Sequence, residues 1–380
     1  MRTNAPDWRG TRVLITGVCG TIGRALLGRL LRGATAQVVG LDIDGRRLRY
    51  LHRRHRADGR IRLVQGDIRE ATQLLEACRG VDIVLHAAAM KDIVQCERDP
   101  VEAVRTNVLG TQAVIEAART CGVARVAFLS TDKAANPTSI LGASKLAAEK
   151  LVSSAVAERR GAPQPVFVIV RLGNVLGSSG SVVPVFARQI AHGNTVTLTD
   201  PLMTRFVMTL NDAVEFIMTA VLTAGSGEIH VRRMAAVRIV DLASVMMEAL
   251  ATPSGHRPEC IPITVIGRRP GEKLYEELIG DDEASRTLEY HNGFVVMPLE
   301  RATRSGRQAR RVVRHRLMPR VRSDRAVPMG RAQVRSVLRG QSLLNLRPEE
   351  RSARRRLELA ISRLEIGDLG LPIGDLADDG

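Results

Sequence analysis

Residues 12–23 have the sequence RVLITGVCGTIG, a short apolar run that leads directly into a loop with three glycines. The run predicts a buried strand, and a helical pattern begins at Arg24. Glycines at this spacing allow a tight turn and bring backbone N–H groups close to a pyrophosphate at the helix start. Strand, loop and helix together predict a dinucleotide-binding site formed by Gly17, Gly20, Thr21, Ile22 and Gly23.

An acidic residue follows this loop at the distance typical of such sites. Asp42 closes a second apolar run, residues 37–41, about 20 residues after the loop. Its carboxylate can accept hydrogen bonds from both ribose hydroxyls and would repel a 2′-phosphate. The sequence therefore favours NAD as the cofactor, although Arg46 and Arg47 lie close enough in sequence to leave NADP open.

Two further predicted strands end in residues suited to the cofactor. Residues 61–64 lead to Asp67 and Ile68, which we expect at the adenine end of the dinucleotide. Residues 81–85 lead to three small residues that let the backbone pass close to the cofactor. These are Ala87, Ala88 and Ala89.

Two polar residues near these strand ends have structural and functional interpretations. We expect His86 to be a packed strand-end residue rather than a catalyst. Asn107 belongs to a predicted helix from Pro100 to Cys121. It is either a helix-interior polar residue or a cofactor-site residue that orients a strand end or the dinucleotide.

The segment LSTDKAANP, residues 129–137, is where we predict the active site. It ends an apolar β-branched run, and open α/β sheets place ligands at the carboxyl ends of their strands. Thr131, Asp132 and Lys133 offer a hydroxyl, a carboxylate and an amine, and Lys145 follows in a predicted helix. Only five of the 56 basic residues are lysines, so lysine is kept where a compact amine with a tunable pKa is needed. This argues against a surface turn with a helix cap.

Strands alternate with helices through residue 175, which predicts an α/β fold with a Rossmann-type doubly wound parallel sheet. We expect this domain to span residues 1–175 and to include parts of 205–235. A smaller α/β substrate-binding domain is expected at 176–300. Within it, Arg205 and Arg269 are predicted on turns where a guanidinium can grip a diphosphate, with a helix starting at Arg269.

Residues 301–380 are predicted to form a basic C-terminal tail of unknown role. They carry 19 arginines against nine acids, so much of the net charge of +16 lies there. Nucleic-acid binding is not favoured, because no aromatic residue stands between these arginines to stack on bases. A solvated or oligomer-facing tail is the preferred interpretation, with an amphipathic helix at 352–364.

Composition limits the setting in which the protein works. The chain is 44% hydrophobic but has no uninterrupted apolar run long enough to span a membrane. Residues 1–11 lack the apolar core of a signal peptide, so we expect a cytoplasmic location. The five cysteines are scattered, without a Cys-x-x-Cys pair or a histidine cluster. We therefore expect reduced thiols and no metal site.

Six stretches together resemble one family, the extended short-chain dehydrogenase/reductases of polysaccharide biosynthesis, in particular the inverting UDP-N-acetylglucosamine 4,6-dehydratases. The resemblance covers about residues 10–298 and does not extend to the tail. The stretches are TGVCGTIG (16–23), HAAAMK (86–91), STDKAANP (130–137), GNVLGS (173–178), MTRF (203–206) and RPGEKLYEEL (269–278).

The resemblance implies a redox-neutral dehydration of a UDP-sugar by a homo-oligomer, with NAD tightly bound and recycled. Sugar C4 is oxidised, water is lost across C5 and C6, and hydride returns to C6. Lys133 would take the C5 proton and Asp132 would protonate the leaving hydroxyl, as a closed site can shift both pKa values toward neutrality. Thr131 would bind the reacting hydroxyl, and Lys145 would hold the nicotinamide ribose. The implied UDP-sugar contacts are Lys91, Asn174, Val182, Thr204, Arg205, Arg269 and Glu272.

One position departs from the superfamily pattern Tyr-x-x-x-Lys, because Leu141 stands four residues before Lys145. Leucine has no proton to exchange, so the usual base for the C4 hydroxyl is missing. Our hypothesis is that Asp132, or Lys145 through a water, takes over this deprotonation.

Two alternatives to a dehydratase stay open at this point. A C4 or C5 epimerase or a keto-sugar oxidoreductase would use the same scaffold and dinucleotide but would not need Asp132 and Lys133 together. A non-catalytic nucleotide-binding scaffold, with the basic tail on an acidic partner, is the other alternative. The retention of Asp132, Lys133 and Lys145 argues against it.

Overall fold

The computed structural model describes residues 7–156, 164–299, 321–341 and 343–344, and its largest element is a nine-stranded sheet. Seven of the strands are parallel, and two antiparallel strands extend one edge. In spatial order the strands are β3 (Ile61–Gln65), β2 (Gln37–Asp42), β1 (Arg12–Thr16), β4 (Ile83–His86), β5 (Arg125–Thr131), β6 (Val166–Leu172), β10 (Ile229–Arg232), β14 (Gly293–Val296) and β13 (Thr287–Tyr290).

The strand order reverses between β1 and β4, which both pair with parallel neighbours on either side. Such a switch point opens a crevice at the carboxyl ends of the strands, where doubly wound sheets bind ligands. The predicted Rossmann-type fold is therefore confirmed.

Helices pack on both faces of this sheet, because its strands are apolar on both sides. Val13 and Ile15 belong to one buried cluster with Leu26 and Ile217, whereas Leu14 belongs to the opposite cluster with Val114. The helices are α1 (Thr21–Leu31), α2 (Gly45–His55), α3 (Ala71–Cys78), α4 (Ile93–Arg98), α5 (Pro100–Val104), α6 (Gly110–Thr120), α7 (Ile140–Ser154), α8 (Val182–Ala191), α9 (Leu210–Thr223), α10 (Ile239–Leu250) and α11 (Arg331–Gly340). No helix in these described ranges has an apolar stretch long enough to cross a bilayer.

A smaller unit is built around two short sheets and its own apolar cluster. One sheet contains β11 (Ala235–Arg238), β9 (Thr204–Met208) and β7 (Asn174–Val175), and the other pairs β8 (Val196–Leu198) with β12 (Ile263–Val265). Phe186 of α8 and Met246 of α10 lie in the cluster between them. The domain limits predicted at residues 175 and 300 stay a prediction. Three strands from the second half of the chain, β10, β13 and β14, return to the large sheet, and β10 lies within the expected range 205–235.

Two local predictions in this unit are wrong. Arg205 lies within β9 rather than on a turn, because residues 204–208 pair with β11 on one side and β7 on the other. No helix starts at Arg269 in the described chain, where residues 269–278 are irregular. Gly271 has φ of +80°, a left-handed conformation that stops helix propagation after Pro270.

Part of the predicted tail packs against the small unit. Val334 and Leu338 of α11 are buried in the same cluster as α8 and α10. Their i, i+4 spacing gives the helix one apolar face, and Arg331 and Arg335, next to this face, both pair with Glu248 of α10. The amphipathic helix predicted at 352–364 lies outside the described residues.

Candidate active site

The glycine loop forms a cradle at the start of α1. Gly17 has φ of +70°, and a Cβ there would lie 2.7 Å from the Ala88 backbone. A Cβ on Gly23 would overlap the Gly17 carbonyl. Gly20 caps α1 without a side-chain bond, and the first turn carries no acid. The N–H groups of Thr21, Ile22 and Gly23 therefore face a position suited to a phosphate.

Asp42 lies beside this cradle at the end of β2, with an oxygen set suited to a ribose. Its two oxygens accept hydrogen bonds from the Cys19 N–H at 2.8 Å and the Asp44 N–H at 3.0 Å. Each carboxylate oxygen has a second lone pair for a hydroxyl donor. The negative charge would repel a 2′-phosphate, so the residues present fit NAD.

The predicted adenine contacts lie at the next strand end. Asp67 is paired with Arg69 at 2.6 Å, and hydrogen bonds from Arg69 hold the pKa of this carboxyl below its ordinary value. Ile68 is buried against Gly110, where an added Cβ would lie 2.6 Å from its side chain. Their contact with a cofactor stays a prediction.

His86 is a packed residue, as expected. Its ring nitrogens lie 2.8 Å from the Thr16 hydroxyl and 3.1 Å from the Thr111 hydroxyl. Burial, with a smaller contribution from Lys145, lowers the pKa of His86 to about 3. The neutral ring thus fixes the end of β4, and the backbone N–H of Ala88 donates to Thr16 nearby.

Asn107 binds the segment that follows β4, and its contact with a cofactor stays a prediction. It lies in a π-helical turn, Arg105–Leu109, and is buried. Its amide exchanges hydrogen bonds with both backbone groups of Met90 and donates to Ser144 on α7 at 3.0 Å. The residue therefore ties the segment after Ala89 to the helix that carries Lys145.

The centre of the site is a lysine held between two buried carboxylates. Lys133 Nζ lies 3.0 Å from Asp132 Oδ1 and 3.2 Å from Glu276 Oε1. Asp132 is fully buried at the end of β5, and Glu276 is 1% exposed. Arg205 Nε lies 3.6 Å from the same Glu276 oxygen. The structure thus brings the predicted Asp132, Lys133 and Arg205 together with a residue that had not been singled out.

Burial and neighbouring charge set the protonation of this cluster. The pKa of Asp132 is raised, first by burial and further by Glu276, although Lys133 opposes the shift. Burial alone would lower the pKa of Lys133, but Asp132 and Glu276 together raise it. The expected shift of the pKa toward neutrality therefore holds for Asp132 but is wrong for Lys133, because two carboxylates stabilise its ammonium form. Asp132 Oδ2 and Glu276 Oε2 are buried and have no hydrogen-bond partner in the described part of the chain. A buried oxygen without a hydrogen-bond partner costs free energy, so these two atoms are candidates for contact with a bound ligand.

Thr131 and Lys145 flank this cluster. The Thr131 hydroxyl donates to Asp132 Oδ1 at 3.0 Å. Lys145 Nζ donates to the carbonyl of Leu129 at 3.0 Å and lies 4.6 Å from the Phe128 ring centre. Burial lowers the pKa of Lys145 to about 8, which leaves part of its population neutral near that pH. All four predicted catalytic residues therefore lie at or beside the end of β5.

Leu141 occupies the position of the missing tyrosine, one helical turn before Lys145 on α7. It is 4% exposed and packs in a small apolar cluster with Cys96 and Ala103. The described structure therefore offers no proton-exchanging side chain at this position.

The predicted substrate contacts are distributed around the cluster. Lys91 donates to the Ser179 carbonyl at 2.8 Å, across the loop that touches Thr21. Asn174 follows β6, and its Oδ1 is buried without a hydrogen-bond partner among the described residues. Val182 begins α8, and the Thr204 hydroxyl lies 2.8 Å from that of Ser323. Their contact with a sugar nucleotide stays a prediction.

Arg269 and Glu272 lie farther out. Arg269 is exposed, and its backbone N–H donates to Glu272 at 3.2 Å. The segment then turns inward, and Glu276 is the residue that reaches Lys133. It belongs to the stretch RPGEKLYEEL, so the family resemblance contained the signal. Because a helix was expected in this stretch, the sequence did not indicate which of its acidic residues faces the site.

A Rossmann-type sheet with Thr-Asp-Lys at the end of β5 and a helical lysine beside it defines an extended short-chain dehydrogenase/reductase. Residues 13–298 match the model of a family described as polysaccharide biosynthesis protein, and the chain belongs to that family.

Three relatives illustrate the range of names in this family. The chain is 44% identical over 291 residues to an uncharacterized membrane protein of Methanocaldococcus jannaschii, covering 77% of this chain and 87% of the relative. It is 37% identical over 295 residues to a UDP-glucose 4-epimerase of Rickettsia akari, covering 76% and 83%. It is 36% identical over 292 residues to an inverting UDP-N-acetylglucosamine 4,6-dehydratase of Campylobacter jejuni, covering 77% and 84%. The predicted resemblance is confirmed.

Two solved structures share the fold. Pen from Bacillus thuringiensis superposes with a TM-score of 0.81 at 35% identity, covering 90% of this chain and 100% of that one. DesIV, a dTDP-glucose 4,6-dehydratase from Streptomyces venezuelae with NAD bound, superposes with a TM-score of 0.61 at 25% identity, covering 69% and 86%.

Proposed function

We propose that this chain is a nucleotide-sugar 4,6-dehydratase that acts on UDP-N-acetylglucosamine or a related UDP-hexose and keeps NAD bound throughout. The observation that carries the proposal is the Asp132–Lys133 ion pair at the end of β5, in which the Asp132 side chain is fully buried and the Lys133 side chain is 16% exposed. Elimination of water needs one group to remove a carbon-bound proton and a second to protonate the leaving hydroxyl. An adjacent amine and carboxylate, the carboxylate fully buried and the amine only partly exposed, meet that need.

NAD is proposed as the cofactor because the glycine cradle and Asp42 fit it and because the DesIV structure carries NAD. When bound, NAD would supply a hydride acceptor for sugar C4 and a hydride donor for C6. The N–H groups at the start of α1 would hold its pyrophosphate, and Lys145 would hold its nicotinamide ribose. The homo-oligomer and the cytoplasmic location stay predictions.

The Asp132–Lys133 pair handles the protons of the elimination step. A proton passes from Lys133 to Asp132 along their 3.0 Å hydrogen bond, which leaves a neutral amine and a carboxylic acid. Lys133 then removes the C5 proton, made acidic by the C4 ketone, and Asp132 protonates the departing C6 hydroxyl. Thr131 orients Asp132 through its hydroxyl. Lys133 finally returns its proton to C5, and the pair regains its single proton through solvent, in balance with the proton released from the C4 hydroxyl.

For the C4 hydroxyl we favour Lys145 over Asp132 as the base that replaces the tyrosine. Burial lowers the pKa of Lys145 to about 8, so a neutral amine is accessible. The same burial raises the pKa of Asp132, which makes that carboxylate better suited to the role of acid. Lys145 would act through a water, since its Nζ is bonded to Leu129.

The test is incubation of purified protein with UDP-N-acetylglucosamine, followed by mass spectrometry of the nucleotide sugar. A product lighter by one water, formed without consumption of added cofactor, is the expected result. Asp132→Asn should keep bound NAD but lose dehydration. Failure of NAD-loaded protein on a panel of UDP-, dTDP- and GDP-hexoses would overturn the proposal.

A 4-epimerase is the second candidate, because the Rickettsia akari relative carries that name. Epimerisation returns hydride to C4 and removes no proton from C5, so it gives no role to the Asp132–Lys133 pair as base and acid. The same incubation separates the two functions. An epimerase yields a product of unchanged mass with inverted C4, detected by proton NMR.

A further inference from the structure

Glu276 reaches the proposed acid–base pair from the opposite half of the chain. Its Oε1 lies 3.2 Å from Lys133 Nζ, almost as close as Asp132 Oδ1 at 3.0 Å. Ser323 holds the Glu276 backbone on both sides, through a bond from the Glu276 N–H at 2.9 Å and a bond to its carbonyl at 3.0 Å. Lys133 is therefore fixed between two carboxylates that face it from different elements.

Counting charges shows why this third group matters. Two ionised carboxylates and one ammonium carry a net charge of −1, and removal from water penalises such an excess. Arg205 Nε lies 3.6 Å from Glu276 Oε1 and adds a positive charge on that side of the cluster. Asp132 and Glu276 each have a buried second oxygen without a hydrogen-bond partner among the described residues. Burial, and to a smaller extent Glu276, raise the pKa of Asp132, so Asp132 is the carboxylate that accepts an extra proton.

Two further charged residues surround Glu276. Lys273, on the same segment, donates to the Ala135 carbonyl at 2.9 Å and is electrostatically coupled to Glu276, Asp132 and Lys133. Glu277 points elsewhere, since its Oε2 accepts from Asn136 at 3.0 Å. The direct partner of Lys133 on this segment is therefore Glu276.

We propose that Glu276 is a positioning residue that holds Lys133 beside Asp132 and sets the pH interval over which this pair carries a single proton. The proposal deepens the proposed dehydratase function and rests on it. With two protons the pair has no base, and with none it has no acid. Activity therefore requires the singly protonated pair, which exists between two macroscopic pKa values that belong to the pair.

The direction of the effect follows from the charge of Glu276. A carboxylate beside the pair favours protonation, so it raises both macroscopic pKa values. This agrees with the raised pKa of Asp132, where burial is the largest cause and Glu276 adds to it. It agrees also with Lys133, whose pKa is raised by both carboxylates against the effect of burial. Removing the charge of Glu276 should lower both values together.

The kinetic test is the pH profile of kcat for Glu276→Gln. Each limb that belongs to the pair should move toward acid by about one pH unit or more, a size typical of losing a charge close to a buried group. A limb set by Lys145, whose pKa is about 8, should stay in place. Glu277→Gln, a buried neighbour that does not touch Lys133, should leave the limbs in place. Glu276→Asp keeps the charge and should restore the position of the profile in part. Lower kcat without displacement of either limb would overturn the proposal.

A second readout does not depend on turnover. Infrared difference spectra report the carbonyl stretch of a buried protonated carboxyl group. Wild-type protein should show this band, Asp132→Asn should lose it, and in Glu276→Gln it should disappear at lower pH. If no sugar nucleotide is dehydrated but the band of Glu276→Gln disappears at lower pH than in the wild type, the proposed reaction fails and the role of Glu276 stands. If the band disappears at the same pH in both proteins, that role is refuted even in an active dehydratase.

Discussion

Arg171 joins three parts of the fold through charges that are shielded from water. From β6 it donates to Glu149 on α7 at 2.6 and 2.9 Å and to Glu283, just before β13, at 2.6 and 2.7 Å. All three side chains are 1–2% exposed. Replacing Arg171 with methionine keeps much of the volume but leaves two buried carboxylates without their shared cation.

Breaking a buried ion pair by removing one partner costs about 3–5 kcal/mol of unfolding free energy. We expect Arg171→Met in the lower half of that range, because Arg286 remains 3.7 Å from Glu283. Arg12→Met is the matched control. Arg12 pairs with Asp82 at 3.4 Å, but the two side chains are 51% and 40% exposed, so the loss should stay below about 1 kcal/mol.

The effect of pH has a definite sign. In the wild type, burial alone would raise the pKa of Glu283, but hydrogen bonds and charge from Arg171 hold it below its ordinary value. Its stabilisation is therefore present above the unfolded pKa and is lost as pH falls through the folded one. Without Arg171, burial becomes the largest influence and raises the pKa of Glu283 above its value in the unfolded chain. The variant is therefore destabilised at high pH and recovers stability as the pH falls. The stability gap between variant and wild type should narrow between about pH 8 and about pH 5.

Urea unfolding followed by circular dichroism measures these differences. The triple variant Arg171→Met, Glu149→Gln, Glu283→Gln removes the uncompensated charges and should be more stable than Arg171→Met alone. Two results would refute the reasoning. One is an Arg171→Met loss no larger than that of Arg12→Met, and the other is a triple variant no more stable than the single one.

Three further outcomes are expected. Leu141→Tyr should leave activity unchanged or lower, because tyrosine overpacks a buried apolar cluster; a rise by orders of magnitude would mean that the natural site lacks a competent base. Gly17→Ala should lose co-purified NAD, because the added Cβ would lie 2.7 Å from the Ala88 backbone and the residue has φ of +70°. The bound NAD is measured by absorbance after its release from the protein. Gly59→Ala, with open space around the added Cβ, is the control. Removal of residues 345–380 should retain turnover, whereas removal from 301 onward should abolish it, because Ser323 and α11 are then lost; equal activity of both truncations would contradict this.

The local patterns of the sequence predict the first half of the site well. The strand, glycines and helix around Gly17 are contiguous, so spacing alone identifies the cradle. Asp132 and Lys133 are adjacent and follow a single strand, which fixes their place at the sheet edge. The scarcity of lysine then distinguishes this segment from an ordinary surface turn.

The second half of the site was harder to predict, because its residues meet across long separations. Glu276 and Lys133 are brought together by packing between the two units, which no periodicity in either segment encodes. Arg205 was expected on a turn because β9 is only five residues long, too short for a clear alternation pattern. The high arginine content of residues 301–380 favoured the prediction of a solvated tail. The apolar pair Val334 and Leu338, which is buried in the small unit, was therefore not singled out.

Ser323 explains why a segment beyond the family match belongs to the site. Its hydroxyl accepts from the Glu276 N–H at 2.9 Å and lies 2.8 Å from the Thr204 hydroxyl, while its N–H donates to the Glu276 carbonyl. These bonds connect the strand that carries Arg205 to the segment that carries Glu276. Ser323, which follows Lys133 by 190 residues in the sequence, thus positions both Arg205 and Glu276 beside Lys133. The geometry of the candidate site at the end of β5 therefore depends on a segment whose sequence, taken alone, carries no recognisable site motif.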